Sequence, residues 1–460
     1  MEKKNVRILT TYPPTKCGIG TFSRDLYEAL TPMKKIFINH IDITAIDKDK
    51  NSYEEPVDSI IQKYNERSWE KAKNQITKGR GILMLQHEYG LDPLIKNGII
   101  KDCVGNHYVE IAKKANKNPN LITLAYLHTV LEKEKATQHQ IKTIKDLGDY
   151  TDGLIVTTKS AIETLSSAPY NIPKDKLKHI DHGIRINTGD RLEIKERLGL
   201  ENIFLATQLG LRSPDKGVQY LIPGVSEFVY SALTKKQREK FTTLIAGVIH
   251  PEFVKADNGK HFEHYQKLMN KVMKESNLRI QTTKNIKNAD FQKNDIVIYD
   301  NFLSERLLKD LYCATNCMIL PYLNMSQISS GILADTLGSG RIAISTKFNY
   351  AKEMLNLKEN KKGAIVTDRG ILIDSHNSKQ IAGALNYLVF AKSDANVPVR
   401  FSMESNAYQR GHEMRWDNVA WDTLQYIKLI EAKRKKKTGR GVKFAKRKKS
   451  NLEDIVEIQN

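Results

Sequence analysis

The chain has 460 residues, 40% of them hydrophobic and 27% charged, which suits two or three globular cores and excludes a collagen-like, coiled-coil or wholly disordered chain. Four cysteines are too few for a disulfide framework and point to a reducing compartment. The formal net charge of +20 is unevenly spread, because residues 433–449 (KRKKKTGRGVKFAKRKK) hold 11 Lys or Arg in 17 positions and no acid.

From the start, Val6-Arg7-Ile8-Leu9 follows Met1–Asn5 with no apolar leader, and no apolar run approaches the ~20 residues of a bilayer span. A soluble, cytoplasmic protein is expected, with peripheral contact to a membrane surface left open. The runs VRILTTYPP, GILMLQHEYG, LITLAYLHTV, GLIVTT and LKHIDHGI each read as a short buried strand ending in a turn. Helical spacing in SRDLYEAL and SAIETL separates them, an alternation that implies an α/β fold with a parallel sheet covered on both faces. The pattern restarts after residue 190 in IFLATQLG, FTTLIAGVIHP, DIVIYDN, CMILPYL, IAISTKF and GAIVTD. Two successive α/β units are therefore expected, with a boundary near Gly183–Gly189. After residue 400 the pattern is helical through EMRWDNVAWDTLQYIKLIEAKRK, and the basic tail follows. Such a tail suits a polyanion, either nucleic acid or an anionic membrane surface, or serves only as a solubilising end. Phe444 is its one aromatic, so base stacking has little support.

In open parallel sheets ligands bind outside the carboxyl ends of the strands, so the residues after each apolar run are the ones to read for chemistry. After the first run, Gly18 and Gly20 allow a tight turn before a helix beginning near Ser23, whose N–H groups could face an anion. The spacing is not that of a dinucleotide fingerprint, and an ordinary βα turn is the plain alternative. His87, His128 and His182 fall at three strand ends, without the close spacing of metal ligands. Cys313 and Cys317 lack partner ligands and read as core, so no metal site is expected. In the second unit Arg212 and Lys216 could both reach a diphosphate, the first through its fork and the second as a point charge. The segment Pro321–Gly340 ends a strand and opens a helix at Ser329-Ser330-Gly331, whose first turn offers free N–H groups to phosphate oxygens. Asp335 could accept hydrogen bonds from the hydroxyls of a ribose, and Gln327 could touch a sugar. A purely structural role would make Ser329 the helix N-cap and Asp335 a solvated helix residue.

Together TYPPTKCGIGTF, QHEYG, LHTV and QISSG, in this order, resemble the retaining family 4 nucleotide-sugar transferases of the GT-B fold, over roughly residues 6–430. The resemblance implies two Rossmann-like doubly wound domains facing across a cleft: 1–186 on the acceptor side, 187–400 binding the nucleotide sugar, helices 401–432 crossing back, and a disordered tail 433–460. It implies donor contacts from Gly18, Gly20, Arg212, Lys216, Ser329, Ser330, Gly331 and Asp335, and catalytic positions at His128, Lys216 and Gln327. The arginine of the family's GRLxxxKG loop falls on Leu211, one place before Arg212, and the two glutamates of its Glu-x7-Glu element fall on Gln327 and Asp335. Gln327 cannot carry charge and so could orient a sugar hydroxyl but not act as nucleophile or base. The implied reaction moves a hexose of mannose or glucose type from a nucleoside diphosphate sugar to an acceptor hydroxyl of a carbohydrate, a lipid-linked sugar or another molecule. No cofactor and no metal are expected. The competing readings are a sugar phosphorylase or epimerase on the same scaffold, and a catalytically decayed core that binds nucleic acid or membrane through its tail.

Overall fold

Strands that are apolar along most of their length need cover on both faces, and the chain builds that arrangement twice. The computed structural model describes residues 3–437, apart from 97, 98, 103 and 188. Its first half contains β1 (Lys4–Thr10), β2 (Ile38–Asp47), β3 (Val57–Gln62), β4 (Gly81–His87), β5 (Leu94–Lys96), β6 (Ile99–Asp102), β7 (Leu121–Leu127), β8 (Gly153–Val156) and β9 (Leu177–His179). Its second half contains β10 (Phe204–Leu209), β11 (Phe241–Ala246), β12 (Ile280–Thr283), β13 (Ile296–Tyr299), β14 (Cys317–Leu320), β15 (Ile342–Thr346), β16 (Ile365–Val366) and β17 (Gly370–Ile373).

The first sheet runs β3-β2-β1-β4-β7-β8-β9, with every neighbouring pair parallel. The second runs β12-β13-β11-β10-β14-β15-β17-β16, parallel except for β16. β5 and β6 form a separate antiparallel hairpin. Both sheets reverse their winding beside a central strand, at β1/β4 and at β10/β14, and such a switch point leaves a crevice at the carboxyl ends. The expected α/β architecture of two doubly wound units is what the chain forms.

Side-chain alternation splits each sheet between two cores. In the first, Leu9, Leu83 and Leu85 pack with Trp69, Tyr108 and Ile144 on one face. Val6, Ile8, Ile82 and Met84 pack with Phe22 and Leu26 on the other, together with Leu424 and Ile427 from the far end of the chain. Cys313 and Cys317 are buried in the second unit, as their spacing suggested.

The sequence pattern misses six of these strands, the short β5 and β6 among them. β2 and β3 carry Asn39, His40, Asp42, Asp58 and Ser59 among their apolar residues, and Asp42 and Asp58 bind the Arg7 guanidinium on the sheet surface. β12 is an edge strand without a fully buried residue. GAIVTD supplies only the two-residue antiparallel β16, while the parallel strand is the following GILI of β17.

The terminal helical stretch is broken. The helix Arg400–Glu413 packs on the second unit, placing Met403 and Ala407 in its cores. The chain then turns at Met414, and the helix Trp416–Lys437 lies on the first unit. Residues 433–437, assigned on composition to a disordered tail, therefore belong to this helix. Lys433 reaches the Asp175 carbonyl at 2.8 Å, and Arg434 reaches both oxygens of Asp152 at 2.7 Å. The remainder of the basic run, 438–449, lies outside the described residues. Among those described, no helix is long and apolar enough to cross a membrane.

The two passages between the units run side by side. Ile184 and Arg415 form a parallel bridge, and the Ile184 N–H donates to the Met414 carbonyl at 3.0 Å. Gly183 sits under the Trp416 indole, where an added Cβ would come within 2.2 Å of ring carbon Cδ2. Gly183→Ala must displace the indole from Phe22, whose ring centroid is 5.0 Å away. We expect a loss of about 1–3 kcal/mol in denaturant unfolding, the range for overpacked sites, with Gly363→Ala, which has open space around it but a φ of +91°, as a strained comparison that leaves Trp416 in place.

Candidate active site

The predicted residues gather at the two switch points, which face each other across the interdomain cleft. On the first unit the helix Gly18–Leu30 begins at Gly18, not near Ser23, so both glycines lie in its first turn. The N–H groups of that turn have no intrahelical acceptor. Space beside Gly18 is open, whereas Gly20 lies against Thr11. The same helix inserts Phe22 into a cluster with Tyr126, His128, His182 and Trp416, at centroid distances of 5.1, 4.9, 5.2 and 5.0 Å.

The three strand-end histidines separate in role. His87 is 1% exposed among Tyr89 and Tyr108, and neither ring nitrogen finds a partner. Burial brings its pKa down to about 4. His128 is held by Gln86, Nε2 to Oε1 at 2.8 Å, and stacks on Tyr126. Burial first, and then the neighbouring His182 and His87, bring the His128 pKa to about 3. His128 is therefore neutral at every ordinary pH and offers shape and a lone pair, not a titrating base. His182 lies across from the second unit: a Cβ on Gly331 would stand 3.7 Å from its Cε1.

On the second unit the helix Gly331–Gly338 is capped by Ser330, whose hydroxyl accepts the Leu333 N–H at 3.3 Å; Ser329 is not the cap. Ser329 instead presents its carbonyl to Gln327 Nε2 at 2.6 Å, which fixes the turn and commits that amide hydrogen. Lys216 stands over the Tyr322 ring at 3.9 Å. Gly217 follows with φ +69°, and a Cβ there would fall 1.9 Å from the Pro321 carbonyl oxygen, so glycine is required for the two loops to meet. Arg212 does not join them. Its guanidinium binds Asp300 and, through Nε, the Gly247 carbonyl at 2.6 Å, so it braces neighbouring loops.

Asp335 is not a solvated helix residue. Its Oδ1 accepts the Arg185 backbone N–H at 3.3 Å, and its carboxyl is half-buried between helix and linker. Burial raises its pKa to about 7, with Arg185 pulling it down and Asp25 pushing it up. Arg185 in turn grips Asp25 with Nε at 3.0 Å and Nη2 at 2.5 and 2.6 Å. Further contacts hold the units together. Thr157 donates to the Ile328 carbonyl at 2.6 Å, and Lys135 to Ser326 at 2.8 Å. The N–H groups of Lys159 and Ser160 both reach the Glu353 carboxylate at 2.8 Å.

Sequence reasoning missed Asp25, Gln86, Glu88, Arg185 and Tyr322. A carboxylate at 25, on the buried face of an otherwise amphipathic helix, was a readable flag. Glu88 was likewise readable, directly after the switch-point strand. Its carboxylate accepts the Thr129 hydroxyl at 2.6 Å and the Tyr89 N–H at 3.0 Å, and burial raises its pKa. Nothing marked Arg185, whose partners are 160 and 150 residues away. Among the described residues no group of three or more His, Cys, Asp or Glu is placed to hold a metal ion.

Comparison with solved structures settles the architecture. The chain superposes on Anabaena HepE, solved with UDP and glucose, at a TM-score of 0.62 and 12% identity, covering 93% of this chain and 100% of that one. The fold is GT-B. Sucrose-phosphate synthase from Thermosynechococcus elongatus matches at a TM-score of 0.64 and 12% identity, covering 94% and 100%. An Escherichia coli trehalose-6-phosphate protein bound to UDP-2-fluoro glucose matches at 0.62 and 10%, covering 93% and 99%. No family model and no curated sequence matches this chain.

The position of Asp335 at the GT-B cleft makes pH a probe of the site. With a pKa of about 7 it is a carboxylate at pH 8 and mostly a carboxylic acid at pH 6, where it loses one acceptor. A ligand hydroxyl that needs the carboxylate should bind about tenfold more weakly at pH 6 than at pH 8. Carbon-13 NMR of the carboxyl carbons should show a signal titrating near pH 7 in the native chain that Asp335→Asn removes.

Proposed function

We propose that this protein is a retaining glycosyltransferase that moves a hexosyl group from a nucleoside diphosphate sugar to an acceptor hydroxyl, as in the family 4 enzymes its motifs resemble. The observation that carries the reading is the convergence, on one GT-B cleft, of Lys216, the capped N-terminus at Ser330-Gly331 and the half-buried Asp335 carboxyl. A diphosphate needs a cation and oriented N–H donors, and a ribose needs a carboxylate one or two turns away.

In this mechanism Lys216 and the Ser329–Gly331 turn stabilise charge on the leaving diphosphate, and such preorganised electrostatics are usually the largest catalytic contribution. Asp335 accepts from the ribose hydroxyls. Gln327, with one Nε2 hydrogen committed to Ser329, keeps Oε1 and its second amide hydrogen for a sugar hydroxyl. The neutral His128 positions the donor sugar beside the reacting carbon. We assign the acceptor proton to the departing phosphate oxygen, on the same face as the attacking hydroxyl. That route keeps the anomeric configuration without the paired carboxylates a hydrolase would use. Contacts across the closed units exclude water. Neighbouring HepE was solved with UDP-glucose, which makes UDP-glucose the first donor to try and GDP-mannose the second.

Thermal shift against UDP, UDP-glucose, GDP and GDP-mannose tests this directly. A nucleotide at 100 times its dissociation constant adds about 2.7 kcal/mol of stability. The expected outcome is a base-specific shift that Lys216→Ala removes, followed by an α-linked product from an α-linked donor by proton NMR. Indifference to every nucleotide would sink the reading.

A further inference from the structure

The second sheet carries a cluster of cations at the amino ends of its central strands, on the edge away from the cleft. Ile203 leads into β10, Asn316 into β14 and Arg341 into β15. The helices Arg191–Arg197 and Arg400–Glu413 meet there through one carboxylate, that of Glu404. Its Oε1 takes Arg191 Nη1 at 3.2 Å and Arg341 Nη1 at 3.5 Å. Arg191 also donates through Nη2 to the Thr315 carbonyl at 3.1 Å. Lys195 is buried, and its ammonium has two neutral oxygens as partners, the Ile203 carbonyl at 2.6 Å and Asn316 Oδ1 at 2.9 Å. The Arg400 guanidinium lies over the Phe401 ring at 5.0 Å and joins no ion pair among the described residues.

Four cations thus gather around one carboxylate, and the surplus shows in their protonation. Burial, then Arg191 and Arg341, brings the Lys195 pKa down to about 8. Burial and the charge of Arg191 lower Arg341 and Arg400 as well, against the pull of Glu404. Arg7, Arg24, Arg185 and Arg410, all gripped by carboxylates, shift the other way. The nearest acids in sequence are engaged elsewhere. Asp190 caps its own helix through the Leu192 and Glu193 N–H groups, and Asp310 binds Arg197 at 2.9 Å. Arg341 Nε is buried without any partner. Like charges held this close repel one another, and an anion placed among them relieves the repulsion.

We propose that Arg191, Arg341 and Arg400 form a binding site for a phosphoryl group, either the free phosphate ion or a phosphate ester of a small molecule. Guanidinium forks match two phosphate oxygens at a time, and Arg341 Nε and the Arg400 fork have no carboxylate to give up first. The site is separate from the cleft and does not rest on the transferase reading. It stands behind the helix Gly331–Gly338, whose Thr336 carbonyl takes the Arg341 N–H at 2.9 Å. Gly411 of the helix Arg400–Glu413 packs on that helix so closely that an added Cβ would come within 2.8 Å of Gly338 Cα. An anion here and a ligand at the Ser330-Gly331 turn would occupy opposite ends of one helix.

Thermal shift of the full chain at fixed ionic strength compares phosphate and glycerol 3-phosphate with chloride and glycerol. Each titration is repeated in Lys216→Ala, because phosphate can also enter the cleft. Arg400→Gln keeps both bonds to Glu404, and Arg191→Gln removes one of them. The expected result is a phosphate-dependent rise in Tm that survives Lys216→Ala and needs roughly tenfold more phosphate in either arginine variant. Tighter binding of glycerol 3-phosphate than of phosphate would assign the site to an ester, and the reverse to the free ion. No rise beyond that in chloride, a rise abolished by Lys216→Ala, or a rise undiminished in both arginine variants would overturn the proposal.

Discussion

Arg185 is the point on which the site depends. Its guanidinium grips Asp25 on the helix that starts at Gly18, and its backbone N–H holds Asp335 on the helix that starts at Gly331. One linker residue thereby ties together the two helices whose N-termini border the cleft. Asp25 is buried and is also held by the Arg24 guanidinium, Nη2 to Oδ1 at 3.1 Å, so two cations share the one carboxylate. Asp335 belongs to the same network. Burial, with a smaller push from Asp25 and against the pull of Arg185, raises its pKa to about 7, so it is roughly half protonated at pH 7. A carboxyl in that condition can accept a neutral hydroxyl pair without first giving up a salt bridge.

The rest of the cleft follows the same economy of charge. His128 and His87 are kept neutral by burial, and Arg212 is neutralised by Asp300. Lys216 has a different setting, because it rests on the π face of Tyr322 and not on a carboxylate. A cation–π contact is worth roughly 0.5–2 kcal/mol and leaves the ammonium's hydrogen-bonding capacity in place. Lys216 is thus oriented without being quenched. Arg212, a stronger binding group by its fork geometry, is spent on bracing the Gly247 and Asp300 loops. The one-place offset between Arg212 and the arginine of the family's GRLxxxKG loop is in keeping with that orientation.

The architecture was legible because buried parallel strands write themselves as short apolar runs, and the turns after them hold most of the site. Gly18, His128, Lys216 and Ser330 all follow such runs. What stayed hidden was of two kinds. β2 and β3 were obscured by polar residues that answer Arg7, and an amphipathic strand at the side of a sheet looks like loop in one dimension. Arg185 and Gln86 act through partners distant in sequence, and periodicity reports faces of elements, not which faces meet. The helix at Gly331 was found, and only the purely structural alternative named a cap, Ser329, because two adjacent serines satisfy the same preference. Coordinates separate them by giving Ser330 the Leu333 N–H and Ser329 the Gln327 amide.

The terminal helix explains how closure and chemistry are connected. Trp416 begins it, directly after the Ile184–Arg415 bridge, and its ring lies against Phe22. Phe22 also touches His128 and His182, and His182 stands beside Gly331. A rotation of the second unit about the paired passages at 184 and 415 would therefore slide His182 past the Ser330-Gly331 turn while Trp416 stays against Phe22. The aromatic cluster is packed on the first unit by Leu424, Ile427 and Ile430, so it moves as one body with the Gly18 helix. His182 against the Ser330-Gly331 turn is one of several contacts between the units, beside Thr157–Ile328, Lys135–Ser326 and Lys159–Glu353. In the proposed reaction, charge on the leaving phosphate develops beside that same contact, so the aromatic cluster and the turn border one reacting group.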